Sequence, residues 1–368
     1  MKIYLLGQRS ILGGGTHFSN YAEIMARYAL LNGFIKEVNL LDDAQRQQWI
    51  SEASKDDVNI FFFGFDQFHY VPGRSIVWSI FESNRLPQNV IQNLKLANCI
   101  WVPSDWAKSV LIEHGLQEDM IDVVPEGVNG ALYHPHLRKF SSRNDQVFRF
   151  LVLGKYEERK GYQQLLQAFQ KAFGNNPKVK LLLKADYFIN QNQKQQDFQN
   201  FIDSFNLQNV KIISGAVAEN DLAMLYAYAH AFAFPSRAEG WGLPLIEALA
   251  SGLPCVTTNY SGHSHFLKSI EGLYGSIDFQ LVPIKDPEFM SYWPASDGNY
   301  GQWAEASIDD LATKMLEIYS HYEQWQTRAI QASAIIRREF SWTKAVEVSL
   351  EALGKRGYLP PITFNTNL

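Results

Sequence analysis

The sequence predicts an α/β fold made of two doubly wound parallel sheets. Short apolar runs alternate with amphipathic segments along most of the chain, which is the pattern of parallel strands covered by helices on both faces. The alternation stops at the polar, irregular residues 134–147 and then starts again. The length of 368 residues allows two or three domains. We therefore expect two units joined by a linker, with ligands in the cleft between them, at the carboxyl ends of the strands.

The first half contains five apolar runs that we interpret as strands, at residues 2–6, 59–63, 75–80, 98–102 and 121–125. After the first run, Gly7 to Thr16 is interpreted as a glycine-rich loop. His17 to Leu31 is then predicted to form a helix with an apolar stripe.

The second half repeats the alternation, with predicted strands at residues 148–153, 178–184, 209–213, 230–234 and 254–257. Helices are predicted between them, at residues 160–173, 193–206 and 219–228. A further helix is expected to begin with Pro244 at its first position and to end before Gly252.

The last third combines an aromatic-rich segment with two helices. Residues 283–305 are predicted to be a long ordered loop, because Pro and Gly accompany several Tyr and Trp. A helix should follow with Ser307 and Asp310 as a capping box. The final helix is expected from Trp342 to Leu353, ending at Gly354.

Composition restricts the class of partner. A net charge of −5 and a pI of about 6.0 argue against a nucleic-acid partner. Cys99 and Cys255 lie in apolar runs outside any CxxC pair, so we expect buried free thiols and no cysteine-bound metal. The first ten residues do not resemble a signal peptide, and no apolar run has the ~20 residues of a membrane span. We expect a cytoplasmic protein, with peripheral contact at the inner face of the membrane left open.

The segment from Pro235 to Ser251 carries the strongest chemical signal. Two carboxylates, Glu239 and Glu247, flank the start of a predicted helix, where Gly240 and Gly242 allow a ligand to approach the backbone. Free N–H groups near Leu243 favour an anion by about 0.3–1 kcal/mol. A nucleoside diphosphate sugar fits this pattern, with phosphates on the N–H groups and hydroxyls on the carboxylates.

This segment, EGWGLPLIEALASGLPCV, resembles the E-x7-E signature of retaining glycosyltransferases of family 4, which have the GT-B fold. FLVLGKYEERKGYQQLLQAF, ANCIWVPSDWAKSVLIEHG, VVPEGVN and FSWTKA resemble other parts of the same family, in the same order. The resemblance implies two Rossmann-like domains facing across a cleft. Residues 1–140 would form the acceptor domain, completed by 342–368, and residues 145–338 the donor domain.

The resemblance also implies residue roles. Glu247 would bind the donor ribose, and Glu239 would contact the donor sugar. The backbone of Gly240, Trp241, Gly242 and Leu243 would line the sugar and the phosphates. Gly215 and Val217, in the segment SGAV, would lie near the nucleotide base.

A cationic segment follows the first strand of the second unit. Lys155, Arg159 and Lys160 place three positive charges within six residues, which suits a diphosphate that one helix dipole cannot neutralise. The family usually has Arg at the position of Lys155, so this chain loses a bidentate donor there, and Arg159 is a candidate replacement.

Acceptor-side residues are less clearly indicated. The run Gly13-Gly14-Gly15 does not match a dinucleotide fingerprint, and the resemblance implies that Gly14 and Gly15 close over the diphosphate. His17 is expected to face the same cleft as an acceptor residue. Where many members of the family have a His, this chain has Glu82, a candidate for orienting the acceptor hydroxyl or simply a helix-capping acid.

The sequence therefore predicts a retaining, metal-independent glycosyltransferase without a cofactor, acting on a nucleotide-sugar donor and a sugar or glycan acceptor. His263 and His265 form no convincing metal pair, because no third ligand is evident. A nucleotide-sugar 2-epimerase and a non-catalytic binding subunit remain alternatives. Oligomeric state is not predicted.

Overall fold

Two parallel sheets organise the chain. The computed structural model describes residues 1–9, 14–27, 34–62, 71–139, 146–186, 191–215 and 217–359. Within these ranges the strands form two six-stranded sheets and one two-stranded sheet. No helix among the described residues is both long and apolar enough to cross a bilayer.

The first sheet has the order β2-β1-β3-β4-β5-β6, and all its strands are parallel. Its strands are β1 (Ile3–Leu6), β2 (Ile35–Val38), β3 (Val58–Phe62), β4 (Arg74–Trp78), β5 (Cys99–Val102) and β6 (Ile121–Val123). The helices between them are α1 (Gly14–Arg27), α2 (Asp43–Glu52), α3 (Gln88–Leu94) and α4 (Asp105–Glu113).

The second sheet has the order β12-β11-β10-β7-β8-β9, again all parallel. Its strands are β7 (Phe148–Lys155), β8 (Val179–Asp186), β9 (Val210–Ile213), β10 (Ala231–Phe234), β11 (Cys255–Thr258) and β12 (Gly275–Ile277). The intervening helices are α5 (Tyr162–Phe173), α6 (Gln191–Asp203), α7 (Glu219–Tyr228), α8 (Leu243–Ala250) and α9 (Ser264–Leu267).

The aromatic segment is only partly a loop: residues 284–286 and 293–301 lie outside helices and strands, but the prediction of one continuous loop over 283–305 is wrong. Strands β13 (Phe279–Pro283) and β14 (Gln302–Ala306) pair in antiparallel fashion, with α10 (Pro287–Tyr292) between them. Asp286 caps this helix by accepting the Glu288 amide at 2.9 Å. Short strands joined by a helix escape period-based detection because neither element is long enough to show its period.

Three further helices follow within the described residues: α11 (Ile308–Ser320), α12 (Tyr322–Glu339) and α13 (Trp342–Lys355). The last returns to the first unit, where Tyr21 Oη of α1 lies 2.6 Å from Ser349 Oγ. The turn before it is tightly packed, because a Cβ on Gly127 would lie 2.3 Å from the Trp342 amide nitrogen. The domain boundaries themselves stay a prediction.

Several local predictions need correction. Strand β2 and helices α2 and α12 were not predicted. Helix α1 begins at Gly14, within the segment expected to be a loop. Pro244 occupies the second position of α8, after Leu243. Gly354 lies inside α13. Ser307 caps α11, but the Asp310 carboxylate accepts the Asp278 amide, so the reciprocal half of a capping box is not formed. Residue 13 and residues 63–70 lie outside the described residues.

The strand order places a switch point in each sheet. In the second sheet, the chain moves outward from β7 through β8 and β9, then crosses back to β10 on the other side of β7. Open parallel sheets bind ligands at the carboxyl ends of the two strands flanking such a point. Those ends are the segment after Lys155 and the segment after Phe234, which contain the two strongest motifs.

Candidate functional site

The segments that follow β7 and β10 are joined by close backbone contacts. Residues Glu158–Lys160 form a short 3-10 turn that Gly161 ends with a φ of 70°. A Cβ on Gly161 would lie 2.2 Å from the Pro235 carbonyl oxygen, which only glycine avoids. The Arg237 amide donates to the Arg159 carbonyl at 2.7 Å. The cationic segment and the E-x7-E segment therefore form one unit.

A buried ion-pair cluster lies at this junction. Lys160 Nζ donates to Glu239 Oε1 at 2.6 Å, and Arg159 Nη1 donates to Glu239 Oε2 at 3.1 Å. The Ser236 hydroxyl donates to the same carboxylate, and Ser261 Oγ accepts the Glu239 amide at 2.8 Å. The Glu239 side chain is 7% exposed, so its position and charge state are fixed by these partners.

Burial and neighbouring charges have opposite effects on the pKa of Glu239. Burial raises the pKa of a carboxyl group, but Lys160 and Arg159 outweigh that effect and hold the pKa of Glu239 at about 2. Burial lowers the pKa of Lys160, and the neighbouring Arg159 lowers it further. Glu239 is thus ionised throughout the neutral range.

Arg159 is surrounded by carboxylates. Its Nη2 lies 2.9 Å from Glu157 and 3.4 Å from Glu82, while Nη1 also donates to the Ala238 carbonyl at 2.7 Å. Burial lowers its pKa, but Glu82 and the other carboxylates raise it well above the ordinary value. Both terminal nitrogens of the guanidinium, Nη1 and Nη2, already have partners, so a phosphate would have to replace one of these carboxylates.

Lys155 ends β7, beside the same cluster. Its Nζ lies 3.6 Å from Glu157, and 41% of the side chain is exposed. A long, exposed ammonium group can reorient towards an anion at little cost. Of the three predicted cations, Lys155 is therefore the one whose head group is solvent-accessible.

Helix α8 begins at Leu243, and the short segment of residues 240–242 separates it from Glu239. Gly240 packs against the first unit, since a Cβ there would lie 2.2 Å from Ile80 Cγ2. Gly242 has a φ of 94° and would place a Cβ 3.8 Å from that of Glu239. Trp241 is buried, with its indole packed against Phe266.

Glu247 lies one turn into α8, separate from the cation cluster. Tyr226 Oη donates to its Oε2 at 2.8 Å, and Tyr133 also interacts with this carboxyl. Burial raises the pKa of Glu247 to about 8, although both tyrosines lower it. The two glutamates of the signature thus have opposite environments: Glu239 is paired with cations, and Glu247 with neutral hydroxyls.

The remaining predicted donor residues lie on loops or helix starts. Gly14 and Gly15 form the first turn of α1. Gly215 has a φ of 90° and is exposed between β9 and α7, and Val217 is half-buried two residues later. Their roles at a nucleotide stay predictions.

His17 does not face an open cleft, contrary to expectation. Its side chain is 1% exposed, and its ring packs edge-on against Trp78 with centroids 4.4 Å apart. Its Nδ1 lies 3.4 Å from the buried carboxylate of Glu126. The His17 side chain lies on the inward-facing side of α1, so direct contact with an acceptor would require this packing to open.

Glu82 follows β4 in the first unit and is 37% exposed. It faces Arg159 of the second unit rather than the start of a helix, so the capping interpretation is wrong. Its contact with the ion-pair cluster was not predicted, because it depends on how the two sheets face each other.

Several partners were not predicted at all. They are Glu126, Tyr133, Glu157, Tyr226, Ser236 and Ser261. Only Glu157 carried a signal, as an acid close to Arg159 in sequence.

His263 donates to the Thr258 carbonyl, and His265 lies 3.3 Å from Asp105, so the two rings are engaged separately. Cys99 and Cys255 are buried and free, as predicted.

Comparisons with known proteins bear on this site. Residues 134–274 match the family model "Glycosyl transferases group 1". The chain is 25% identical to a mannosylfructose-phosphate synthase of Agrobacterium fabrum over 264 residues, which is 68% of this chain and 51% of that protein. It is 26% identical to a D-inositol 3-phosphate glycosyltransferase of Paenarthrobacter aurescens over 253 residues, 67% of this chain and 54% of that protein. The chain thus spans about half the length of these curated relatives.

Solved structures agree in fold. The crystal structure of Anabaena Alr3699/HepE in complex with UDP superposes with a TM-score of 0.69 at 17% identity, covering 96% of this chain and 100% of that one. The lipopolysaccharide outer core galactosyltransferase WaaB in its apo form gives 0.59, with 97% and 100% covered. The fold is therefore of the GT-B type, and the stretch that matches the glycosyl transferases group 1 model, residues 134–274, contains the Lys160–Glu239–Arg159 cluster and Glu247.

Proposed function

We propose that this protein transfers a sugar from a nucleoside diphosphate sugar to a hydroxyl group of an acceptor, with retention of anomeric configuration and without a metal. The observation that carries the proposal is the Lys160–Glu239–Arg159 cluster beside the start of α8, with Glu247 one turn further. Cations, helix start and two carboxylates match the three parts of such a donor: diphosphate, sugar and ribose.

Leaving-group stabilisation is the main chemical task of this site. When the bond between the anomeric carbon and the diphosphate breaks, negative charge grows on the phosphate oxygens. Lys155, Lys160 and the amide groups at the start of α8 would stabilise that charge, an effect worth more in a partly dehydrated site than in water. Glu239 would accept hydrogen bonds from hydroxyl groups of the donor sugar. Glu247 would accept them from hydroxyl groups of the ribose.

The acceptor proton needs a destination. In front-face attack the acceptor oxygen bonds to the anomeric carbon as the diphosphate leaves from the same face, and the departing phosphate oxygen takes the acceptor proton. No separate general base is required in this scheme. Glu82, facing Arg159 from the other unit, would orient the acceptor hydroxyl.

A binding panel tests the donor site first. Thermal unfolding is measured with UDP, GDP, ADP and their glucose or mannose derivatives. A ligand at 100 times its Kd adds about 2.7 kcal/mol, or roughly 5–10 °C for units of this size. We expect a shift with one base, and loss of that shift in Glu247→Ala.

Product analysis separates the proposal from its alternatives. Transfer to a glycan or glycoside acceptor with an α-linked product from an α-linked donor supports it. An isomerised sugar formed from the donor alone would indicate a 2-epimerase. No shift with any nucleotide would indicate a binding subunit and contradict the proposal.

A further inference from the structure

A strap from the second unit is fastened onto the first. We define the strap as residues 279–306, which comprise β13, α10 and β14. Its Trp303 Nε1 donates to the Glu82 carbonyl at 2.7 Å, and its Gln302 amide donates to Asn84 Oδ1 at 2.7 Å. In the opposite direction, Ser83 Oγ donates to the strap's Tyr300 carbonyl at 2.6 Å. Three strong hydrogen bonds therefore join the strap to the residues that follow β4.

The fit between strap and first unit leaves no room for another side chain. Gly301 has a φ of 84°, and a Cβ there would lie 2.5 Å from both Ser83 Oγ and Asn84 Oδ1. Trp303 is 1% exposed, and the exposed pair Arg85–Asp297 extends the contact outward. A buried indole, a shape-restricted glycine and reciprocal hydrogen bonds indicate a built contact rather than loose packing.

The strap is equally anchored in its own unit, through Arg237. The Ala304 amide donates to the Arg237 carbonyl at 2.9 Å, and the Arg237 amide donates to the Arg159 carbonyl at 2.7 Å. The Arg237 side chain also pairs with Glu305 at 3.0 Å and lies over the Trp303 ring. Trp303 thus binds Glu82 directly. The next strap residue, Ala304, binds Arg237, which in turn binds Arg159.

The Glu82–Arg159 pair needs such support. Its oxygen and nitrogen are 3.4 Å apart, and the Glu82 side chain is 37% exposed. Arg159 is buried and held by other partners, but the Glu82 end of the pair is open to solvent, which screens the attraction, and the Glu82 side chain loses rotamer freedom in forming it. Holding the backbones of both residues from one strand fixes the distance over which the Glu82 side chain reaches Arg159.

We propose that Trp303 is a positioning residue for the transfer reaction and that the strap sets the closure of the cleft at Glu82. The chain crosses between the units before β7 and again before α13, and the units also touch where Gly240 packs on Ile80 and where Asp105 pairs with His265 and Lys268. The strap adds the hydrogen bonds to residues 82–84, so it resists a rotation that would separate Glu82 from Arg159. The role in transfer rests on the proposed function, whereas the role in closure does not.

The test compares two strap variants with a matched control. Trp303→Phe removes the indole donor, and Gly301→Ala forces the strap off residues 83 and 84. Trp49→Phe is the control, since it removes an equally buried indole donor, to Asn59, within the first unit. For each full-length variant we measure amide hydrogen exchange, the Kd of UDP, GDP and ADP, and release of the diphosphate from the corresponding sugar donors.

We expect faster exchange at Arg85 and Gln302 in both strap variants, by about tenfold. Nucleotide Kd and donor KM should stay within about twofold, while kcat falls about two- to tenfold, the range that one net hydrogen bond supplies. Trp49→Phe should keep wild-type exchange at both amides.

Unchanged exchange in both strap variants, or an equal fall in kcat in Trp49→Phe, would overturn the proposal. A loss confined to Kd or KM would also overturn the positioning role. If the wild-type protein binds no nucleotide, the transfer role is refuted together with the proposed function, and the exchange data alone decide whether the strap holds the cleft.

Discussion

Lys160 and Glu239, which are 79 residues apart in sequence, form a buried 2.6 Å ion pair that joins the two strand ends of the second sheet. Both side chains are more than nine-tenths buried. The methylene groups of Lys160 also pack on Gly154, whose Cβ position lies 3.1 Å from Lys160 Cδ. Lys160 therefore contributes both a charge and packing contacts, and different substitutions can remove the two separately.

Replacing Lys160 should affect turnover more than folding. Lys160→Met keeps the packing on Gly154 and removes the ammonium group. We expect kcat to fall more than about tenfold, because a developing phosphate charge loses a donor. Glu239 keeps Arg159 and Ser236 as partners, so the fold should persist. Lys160→Ala should lose as much turnover and more stability.

The control for this prediction is Lys180→Ala, which removes an exposed lysine from β8. Steady-state kinetics and thermal unfolding of the three variants are compared. Wild-type kcat in Lys160→Met would exclude Lys160 from the mechanism.

Glu247 should act in donor binding. Its carboxyl is held by Tyr226 and lies away from the cations, so removing it leaves the cluster intact. We expect Glu247→Ala to raise the Kd of the preferred nucleotide by about tenfold, the upper end of what one net hydrogen bond contributes. Isothermal titration with the nucleoside diphosphate measures this directly. Equal affinity in the variant and the parent would contradict the assignment.

Glu247 also predicts a pH dependence of stability. Its pKa is raised to about 8 in the folded protein, from an ordinary value of 4.5. Between these values the folded state binds more protons than the unfolded state, so this residue lowers stability as pH rises from about 4.5 to 8. Solvent at this half-buried position reduces the size of the effect.

Denaturant unfolding at pH 5 and pH 8 measures that dependence. Glu247→Gln removes the titrating group, so its stability relative to the parent should be higher at pH 8 than at pH 5. The same relative stability at both pH values would show that the carboxyl titrates normally.

Gly161 should be required for steric reasons as well as for its backbone angle. Gly161→Ala and Gly115→Ala both place a side chain at positive φ, which costs about 1–2 kcal/mol. Only at Gly161 does the new Cβ meet a carbonyl, at 2.2 Å, whereas Gly115 has open space. We expect Gly161→Ala to be the more destabilising by about 1–3 kcal/mol, measured by urea unfolding. Equal losses would mean that the Pro235 carbonyl moves freely aside.

Local sequence determined most of the regular structure. Ten predicted strands correspond to strands of the two parallel sheets, because buried parallel strands are continuous apolar runs that need no tertiary information to detect. Spacing together with the family resemblance singled out the cations around Lys160 and the glycines before α8, and the structure brings these two segments together. Short or half-exposed elements such as β2, α10 and β14 were missed, since their patterns are too brief to show a period.

Tertiary structure determined which distant side chains contact each other. Nothing local indicated that Trp303 would reach the carbonyl of Glu82, 221 residues earlier, or that Tyr226 would hold Glu247. His17 followed a glycine-rich segment and looked accessible, but the turn of α1 carries it into a core of Phe62, Trp78 and Trp342. Periodicity is a property of neighbours along the chain, whereas the pairing of side chains across a cleft depends on how two separately specified sheets are brought together.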